Sequence, residues 1–325
     1  MSSPATDVQR NPLHSSRSRV GERLIYILLQ AAGAVSILTT VGIVFILFSE
    51  AFTLFGDVSI VSFFTDTAWR PFVSPDSDGF QIGIFALVQG TLMVTIIAMA
   101  IAIPLGLASA VYLADYAPQR VRKVVKPVLE VLAGVPTVVL GYFALTAMTP
   151  LLQSILGQGN VDFFNPMSAG IVMGIMIVPT IASLSEDAMS AVPDSLRAGA
   201  YGLGATKRQV VTQVVLPAAL SGVVAAIILG VGRAVGETMI VAIAGGNLPI
   251  DLAGTADQVV NPDIINPLQQ VQTMTAYIVQ AVQGEAPRGS VTYESIFAVG
   301  AMLFLMTFSL NVAAQRFVRR FREAY

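Results

Sequence analysis

Long apolar stretches constrain this chain more than any other feature of its sequence. The first, Leu24 to Phe48, can cross roughly 30 Å of hydrocarbon at about 1.5 Å per helical residue. Only 12% of the residues are charged, against about 25% in soluble domains, so a fully water-facing surface cannot be built. Five further stretches follow, at about 84–113, 124–149, 167–185, 216–245 and 295–315. The sequence therefore predicts an all-α polytopic membrane protein with six transmembrane helices.

The segments between these stretches divide the chain. The interior prolines Pro104, Pro136 and Pro179 are tolerated in membranes where neighbouring helices satisfy the freed carbonyls, which favours a packed bundle over a simple anchor. We predict a disordered cytoplasmic tail (1–21), an N-terminal transmembrane helix (22–50), an outer loop (51–83), a core with five helices (84–315) that contains a cytoplasmic loop (186–215) and a second outer loop (246–294), and a basic cytoplasmic tail (316–325).

Positive charge is unevenly distributed over the loops, and this predicts the orientation. Lys and Arg are concentrated in both tails, in 114–123, in 186–215 and at the adjacent helix ends. The opposite set of segments contains only Arg70 and Arg288. Because basic residues are retained on the cytoplasmic side, we expect both termini in the cytoplasm and the two long polar loops outside.

Missing residue types exclude several functions. The chain has no cysteine and one histidine, His14, so a thiol nucleophile, a histidine-based triad and a Cys/His metal cluster are all excluded. None of the lysines, Lys123, Lys126 and Lys207, follows a glycine, as the lysine of a phosphate-binding Walker A loop does. The net charge of −2 argues against a nucleic-acid partner. We therefore expect no catalytic residue, no metal site and no cofactor held by this chain.

The segment 193–217 has the signals of two short helices. Asp194 or Ser195 can cap the first helix, which Gly202 and Gly204 can end. Thr206 and Gln209 form a capping box that opens a second helix, running to Pro217. These signals predict a helix–glycine–helix unit at the cytoplasmic face, and alone they leave open a hairpin that merely joins two spans.

The same segment resembles the EAA loop of ABC-importer permeases, E-A-A-x3-G-x9-I-x-L-P. Ala198 replaces the glutamate and Gly199 the first alanine, while Ala200, Gly204, Val214, Leu216 and Pro217 keep the spacing. The resemblance implies a type I ABC importer permease fold in which this loop docks on a separate ATPase chain. The residues expected at that docking loop are Asp194, Arg197, Ala198, Gly199, Ala200, Gly204, Thr206, Leu216 and Pro217.

Arg233 and Glu237 lie deep in the fifth apolar stretch, within GVGRAVGETM. Charges at this depth are costly and usually face an interior or a pathway. A guanidinium fork suits phosphate or carboxylate oxygens, and Thr238 adds a hydroxyl. We expect the two charges four residues apart on one helical face, at an anion site; a self-neutralising structural pair is the alternative.

GRAVGETM is similar to the helix-5 signature of permeases of the Pst phosphate-specific importer. The stretches 132–137, 178–180 and 185–187 agree, and loop 51–83 is more similar to the C-type than to the A-type subunit. We expect the aromatics of that loop, Phe63, Phe64, Trp69 and Phe72, to form an interfacial belt.

The Pst resemblance implies phosphate translocation at Arg233, Glu237 and Thr238 in a bacterial inner membrane. The implied partners are an A-type permease, two ATP-binding subunits that carry ATP and Mg, a periplasmic or lipid-anchored phosphate-binding protein, and membrane lipid. Sulfate or molybdate remains an alternative substrate, and an ATP-independent secondary transporter or channel an alternative class.

Overall fold

The computed structural model describes residues 19–253, 261–284 and 286–321. Over these ranges the chain is helical, with one isolated bridge between Trp69 and Ile82 as its β-structure. This confirms the predicted all-α membrane fold. Residues 1–18 of the predicted tail, 254–260 and 285 of the outer loop, and 322–325 of the basic tail lie outside the described residues.

The described helices supply the six predicted spans. Five of these spans are continuous helical segments. The remaining one, which is fifth in chain order, is a pair of segments bent by 70°. The spans are span 1 (Gly21–Asp57), span 2 (Ile84–Tyr116), span 3 (Thr137–Leu156), span 4 (Pro166–Ser190), span 5 (Lys207–Ala218 with Leu220–Gly236) and span 6 (Val291–Arg316).

The first compact unit, up to Ser49, consists of one helix in its described part. This helix, α1 (Arg19–Asp57), ends in the second unit and is longer than the predicted 22–50. Its large side chains from Leu24 to Ile46, except Val44, are exposed on this chain. An all-apolar exposed helix is stable only against lipid or another membrane helix.

The second unit, from Glu50 onward, contains the remaining helices. π-helical turns at Tyr112–Tyr116, Ala144–Met148 and Val211–Val215 continue α3, α5 and α9. In order, the α-helices are α2 (Ile60–Thr65), α3 (Ile84–Val111), α4 (Gln119–Ala133), α5 (Thr137–Phe143), α6 (Thr149–Leu156), α7 (Pro166–Ser190), α8 (Asp194–Gly202), α9 (Lys207–Val210), α10 (Leu216–Ala218), α11 (Leu220–Gly236), α12 (Met239–Ala244), α13 (Met274–Gln283) and α14 (Val291–Phe321).

Helices α3 and α7 form the centre of the second unit. Gly170 and Gly174, four residues apart on α7, face α3. A Cβ atom at Gly174 would lie 2.7 Å from the carbonyl oxygen of Ala98, and one at Gly170 would lie 2.6 Å from Ile97 Cγ2. Small residues at this spacing let membrane helices approach until their backbones touch. The close approach fixes span 4 against span 2.

The predicted third stretch, 124–149, is two helices rather than one. It is interrupted at Gly134–Pro136, and Pro136 precedes α5 as its N-cap. Proline lacks the N–H that a continuing helix needs, and glycine is a poor helix former. The preceding helix α4 is amphipathic and has no buried residue, so span 3 begins only at Thr137. Pro104 and Pro179, by contrast, lie inside continuous helices.

The predicted fifth stretch, 216–245, is also interrupted. After α10, which contains Pro217, the chain bends by 70° into α11. It breaks again at Glu237 and Thr238 before α12. The second break lies next to the charged residues that the sequence analysis selected.

The aromatic residues of loop 51–83 do not form a uniform interfacial belt. Phe63 and Trp69 are buried, whereas Phe64 and Phe72 are exposed. The Trp69 ring packs edge-on against Tyr277 of α13, with centroids 5.0 Å apart. The belt interpretation is therefore wrong for Phe63 and Trp69, whose rings pack against other aromatic rings of the second unit, including that of α13.

Candidate functional site

The charged residues of span 5 lie at the end of α11. Arg233 is in the last turn, and Glu237 follows the helix with an extended backbone, ψ 132°. The expectation that Glu237 continues the helix on the same face as Arg233 is therefore wrong. Gly236 immediately precedes the break, and its weak helix propensity permits the helix to end there.

Arg233 is half-buried, and its guanidinium contacts α7. Nη1 donates a hydrogen bond of 3.1 Å to the hydroxyl oxygen of Thr180, the residue after Pro179. Among the residues that the structure describes, Arg233 forms no ion pair. The self-neutralising pair with Glu237 is therefore not formed, and most of the guanidinium's donors remain available.

Glu237 is buried and is held by backbone groups. Its Oε1 accepts hydrogen bonds from the N–H of Met239 at 3.1 Å and of Ile240 at 3.4 Å, at the start of α12. Its carbonyl oxygen accepts from the Thr275 hydroxyl of α13 at 2.8 Å. The carboxylate thus satisfies free donors where the helix restarts. Thr238 donates its hydroxyl to the Gly236 carbonyl, 3.2 Å away.

The glycines around Arg233 have two different surroundings. A Cβ at Gly230 would meet Ile181 at 3.1 Å, so Gly230 allows α11 to pack on α7. Apart from the adjoining residues and the backbone of α11 itself, no described atom lies within 4 Å of a Cβ at Gly232 or Gly236. The surface beside Arg233 is therefore open on this chain, with room for a ligand or a second membrane helix.

The predicted helix–glycine–helix unit is present in the segment 186–215, the predicted docking loop. Helix α8 begins at Asp194, and Pro193 precedes it without a side-chain cap, so the predicted Asp194 or Ser195 cap is wrong. Gly204 has φ +82°, a left-handed conformation that favours glycine. The capping box of Thr206 and Gln209 is confirmed, with Thr206 N–H donating to Gln209 Oε1 at 2.8 Å.

One side of the docking loop packs inward and the other is exposed. Leu196 and Ala200 pack against a buried cluster that includes Met189 and Val210. Leu203 lies at the turn between the helices and is 91% exposed. Nearby, the predicted docking residues Ala198, Gly199 and Gly204 are also exposed, and their small side chains leave the backbone accessible. The other predicted docking residues Leu216 and Pro217 lie at the start of α10.

A charged cluster that sequence reasoning did not assemble joins α4 to the end of α7. Glu186, whose side chain is fully buried, accepts hydrogen bonds from Arg122, from Lys126 at 2.6 Å and from Ser190 at 2.9 Å. Lys126 also pairs with Asp187 at 2.5 Å. The amphipathic pattern of 119–133 was the available signal, since it places Arg122 and Lys126 on one face.

The same contacts change the acidity of Lys126. Burial alone would lower the pKa of its ammonium group, because it disfavours the charged form. The hydrogen bonds and charges of Asp187 and Glu186 outweigh burial, and the pKa is raised above its ordinary value. Lys126 therefore holds its proton more firmly in the folded protein than in the unfolded chain.

The family is decided by comparison with known proteins. The sequence profile of one protein family, described as binding-protein-dependent transport system inner membrane component, matches residues 102–323. The chain belongs to this family. The probable ABC transporter permease protein YqgH of Bacillus subtilis is 33% identical over 84% of this chain and 85% of its own length.

Other relatives confirm the resemblance to C-type Pst permeases. The phosphate transport system permease protein PstC of Xylella fastidiosa (strain 9a5c) is 32% identical over 80% of this chain and 79% of its own. PstC 1 of Mycobacterium tuberculosis is 31% identical, over 79% and 81% of the two chains. The chain is thus a permease subunit of an ABC importer, a multi-pass protein of the inner membrane and a transport subunit by family.

Solved structures show the same fold at lower identity. A chain of the bacterial alginate ABC transporter in complex with an alginate-bound periplasmic protein has a TM-score of 0.59 and 15% identity, covering 94% of this chain and 99% of its own. A chain of the MetNI methionine ABC transporter in an inward-facing conformation has a TM-score of 0.54 and 20% identity, covering 74% and 98%. Both have the type I importer permease fold.

Proposed function

We propose that this chain is the C-type permease subunit of an ATP-driven importer of inorganic phosphate. The observation that carries this proposal is Arg233, a guanidinium in a membrane span that forms no ion pair among the described residues and has open space beside it. Its planar fork matches two phosphate oxygens. Inserting such a charge costs roughly 2.5–3.5 kcal/mol, and a bound anion offsets that cost. The relatives named PstC support phosphate as the substrate.

Four residues at and beside the break have distinct roles in this proposal. Arg233 binds the anion, and Thr180 orients the guanidinium through its hydroxyl. Oε1 of Glu237 already accepts hydrogen bonds from two backbone N–H groups. The other carboxylate oxygen is left to accept a hydrogen bond from the protonated oxygen of hydrogen phosphate. Thr238 contributes a further hydroxyl beside them. No bond of the substrate is made or broken on this chain.

The remaining parts of the transporter follow from the family. A binding protein outside the membrane, periplasmic or lipid-anchored, delivers phosphate, and an A-type permease completes the path on the open side of Arg233. Two ATP-binding subunits, which carry ATP and Mg, close against the cytoplasmic docking loops of the two permeases. Both termini of this chain lie in the cytoplasm, in agreement with its basic segments.

The anion site is tested by uptake of radiolabelled phosphate into proteoliposomes that contain the whole transporter. Losing a charged hydrogen-bond donor costs about 1.5–3 kcal/mol, so Arg233→Gln should reduce uptake by about tenfold or more. Arg288→Gln removes the same charge from an exposed outer segment and should leave uptake unchanged. Competition with sulfate and molybdate identifies the preferred anion. Near-normal uptake by Arg233→Gln would refute the anion site.

The docking surface is tested by co-purification with the ATP-binding subunits. Leu203 is 91% exposed, so Leu203→Asp should not disturb the fold but should weaken docking, because the interface would then bury an unpaired charge. Ile265→Asp, at an 83% exposed position outside the docking loop, is the matched control. Equal recovery of the ATPase with both variants would show that the turn of the docking loop is not the docking surface.

A further inference from the structure

Span 2 ends in a π-helical turn that contacts both helices of the docking loop. The turn, Tyr112–Tyr116, carries Asp115, whose carboxylate forms an ion pair with Arg197 of α8. The ammonium group of Lys207, at the start of α9, lies 4.7 Å from the centroid of the Tyr116 ring. Two neighbouring side chains of span 2 therefore hold the two halves of the helix–glycine–helix unit.

Arg197 also connects this turn to span 4. Its Nη2 donates a hydrogen bond of 2.8 Å to the carbonyl oxygen of Met189, in the last turn of α7. The only other carboxylate near Arg197 in the described chain is Asp194, which is fully exposed and lies 4.0 Å away. One guanidinium thus joins α8, the end of span 2 and the end of span 4.

The pairing of Asp115 depends on this one partner. Its side chain is 6% exposed, and that of Arg197 is 17% exposed. The second carboxylate oxygen, Oδ2, is buried and accepts no hydrogen bond within the described part of the chain. A buried carboxylate that loses its single partner is strongly destabilised in that position. Span 2 and α8 therefore resist separation at this point more than apolar packing alone would require.

We propose that Asp115 and Arg197 are positioning residues that couple the docking loop to span 2. When the ATPase displaces α8, the ion pair makes the π-helical end of span 2 move with it. Span 4 then moves together with span 2, because α7 packs closely against α3 at Gly170 and Gly174. π-helical turns are frequent at functional positions in helices, which agrees with a coupling role for this one. This inference rests on the proposed docking of an ATPase.

The proposal predicts loss of coupling with the complex intact. Asp115→Asn and Arg197→Gln should each raise the number of ATP molecules hydrolysed per phosphate imported by at least about fivefold, within the range for residues that modulate coupling. The reversed pair, Asp115→Arg with Arg197→Asp, should restore the ratio to within about twofold. Asp251→Asn is the control, since it breaks an exposed ion pair with Arg70, at 3.4 Å, outside the docking loop. An unchanged ratio in both single variants, or a reversed pair that co-purifies fully but remains uncoupled, would overturn the proposal.

A cross-link tests the same idea where single variants fold poorly. The chain has no cysteine, so Asp115→Cys with Arg197→Cys gives a unique thiol pair. Because this variant lacks the ion pair, it should be uncoupled until a short bis-thiol reagent joins the two elements and restores coupled import. Cross-linking that leaves the variant uncoupled, or that blocks import, would refute the coupling. If the wild-type transporter imports no phosphate, the proposed substrate fails instead, while ATP hydrolysis stimulated by the binding protein still reports on the Asp115–Arg197 pair.

Discussion

Glu186→Gln should destabilise the protein through the charged cluster between α4 and α7. Removing one partner of a buried ion pair costs about 3–5 kcal/mol. The Arg122 and Lys126 side chains are 38% and 27% exposed, so water can solvate their charges when Glu186 is replaced, which reduces the cost. Glutamine also keeps the shape of the carboxylate. We therefore expect a loss of about 2–3 kcal/mol, or roughly 4–12 °C in Tm, from typical values for large domains.

Asp187→Asn is the matched control for this prediction. Asp187 adjoins Glu186 and shares its partner Lys126, but its side chain is 57% exposed. Exposed pairs contribute about 0–1 kcal/mol, so the control should change Tm by only a few degrees. The assay is thermal unfolding of the detergent-solubilised protein, followed by the fraction that remains monodisperse. Equal effects of the two variants would refute the argument from burial.

Three further predictions concern packing, backbone conformation and pH. Gly174→Leu should abolish folding, because its Cβ would lie 2.7 Å from the Ala98 carbonyl oxygen, whereas Gly42→Leu has open space and should fold normally; yield in membranes compares them. Gly204→Val should destabilise the docking loop by about 1–2 kcal/mol or more because φ is +82°, as measured by faster proteolysis at 186–215. The pKa of Lys126 is raised on folding, so its stabilisation is complete below the unfolded pKa of about 10.4 and is lost as pH rises through the folded value. The Tm difference between wild type and Lys126→Met should therefore persist at pH 8 and shrink as the pH rises beyond the unfolded pKa of about 10.4.

Local signals in the sequence predicted the parts of this fold that depend on neighbouring residues. The apolar stretches gave the number of spans because each must supply its own backbone hydrogen bonds in lipid. The Thr206–Gln209 capping box and the left-handed Gly204 were also predictable, since both depend on a few consecutive residues. The selection of Arg233 followed from the rarity of charge within a span.

Features that depend on distant partners were not predicted. Apolar residues continue from α11 through α12, so hydropathy gives no sign that the helix breaks at Glu237. The partner of Arg233, Thr180, lies on α7 and could be found only once α7 and α11 were packed. The pairing of Arg122 with Glu186 likewise requires knowledge of how α4 crosses the end of α7.

The π-helical turn at Val211–Val215 has a consequence for insertions and deletions. A π turn accommodates one residue more than an α turn, and each residue advances an α-helix by about 100°. Deleting one residue from this turn would therefore restore α-helical hydrogen bonding locally. Because the extra residue is absorbed within the turn, this deletion would leave Leu203 facing nearly its present direction relative to α11. A one-residue deletion inside α11 would instead rotate the preceding segment by about 100°. Length variation is therefore tolerated in this turn and restricted in the helix that follows it.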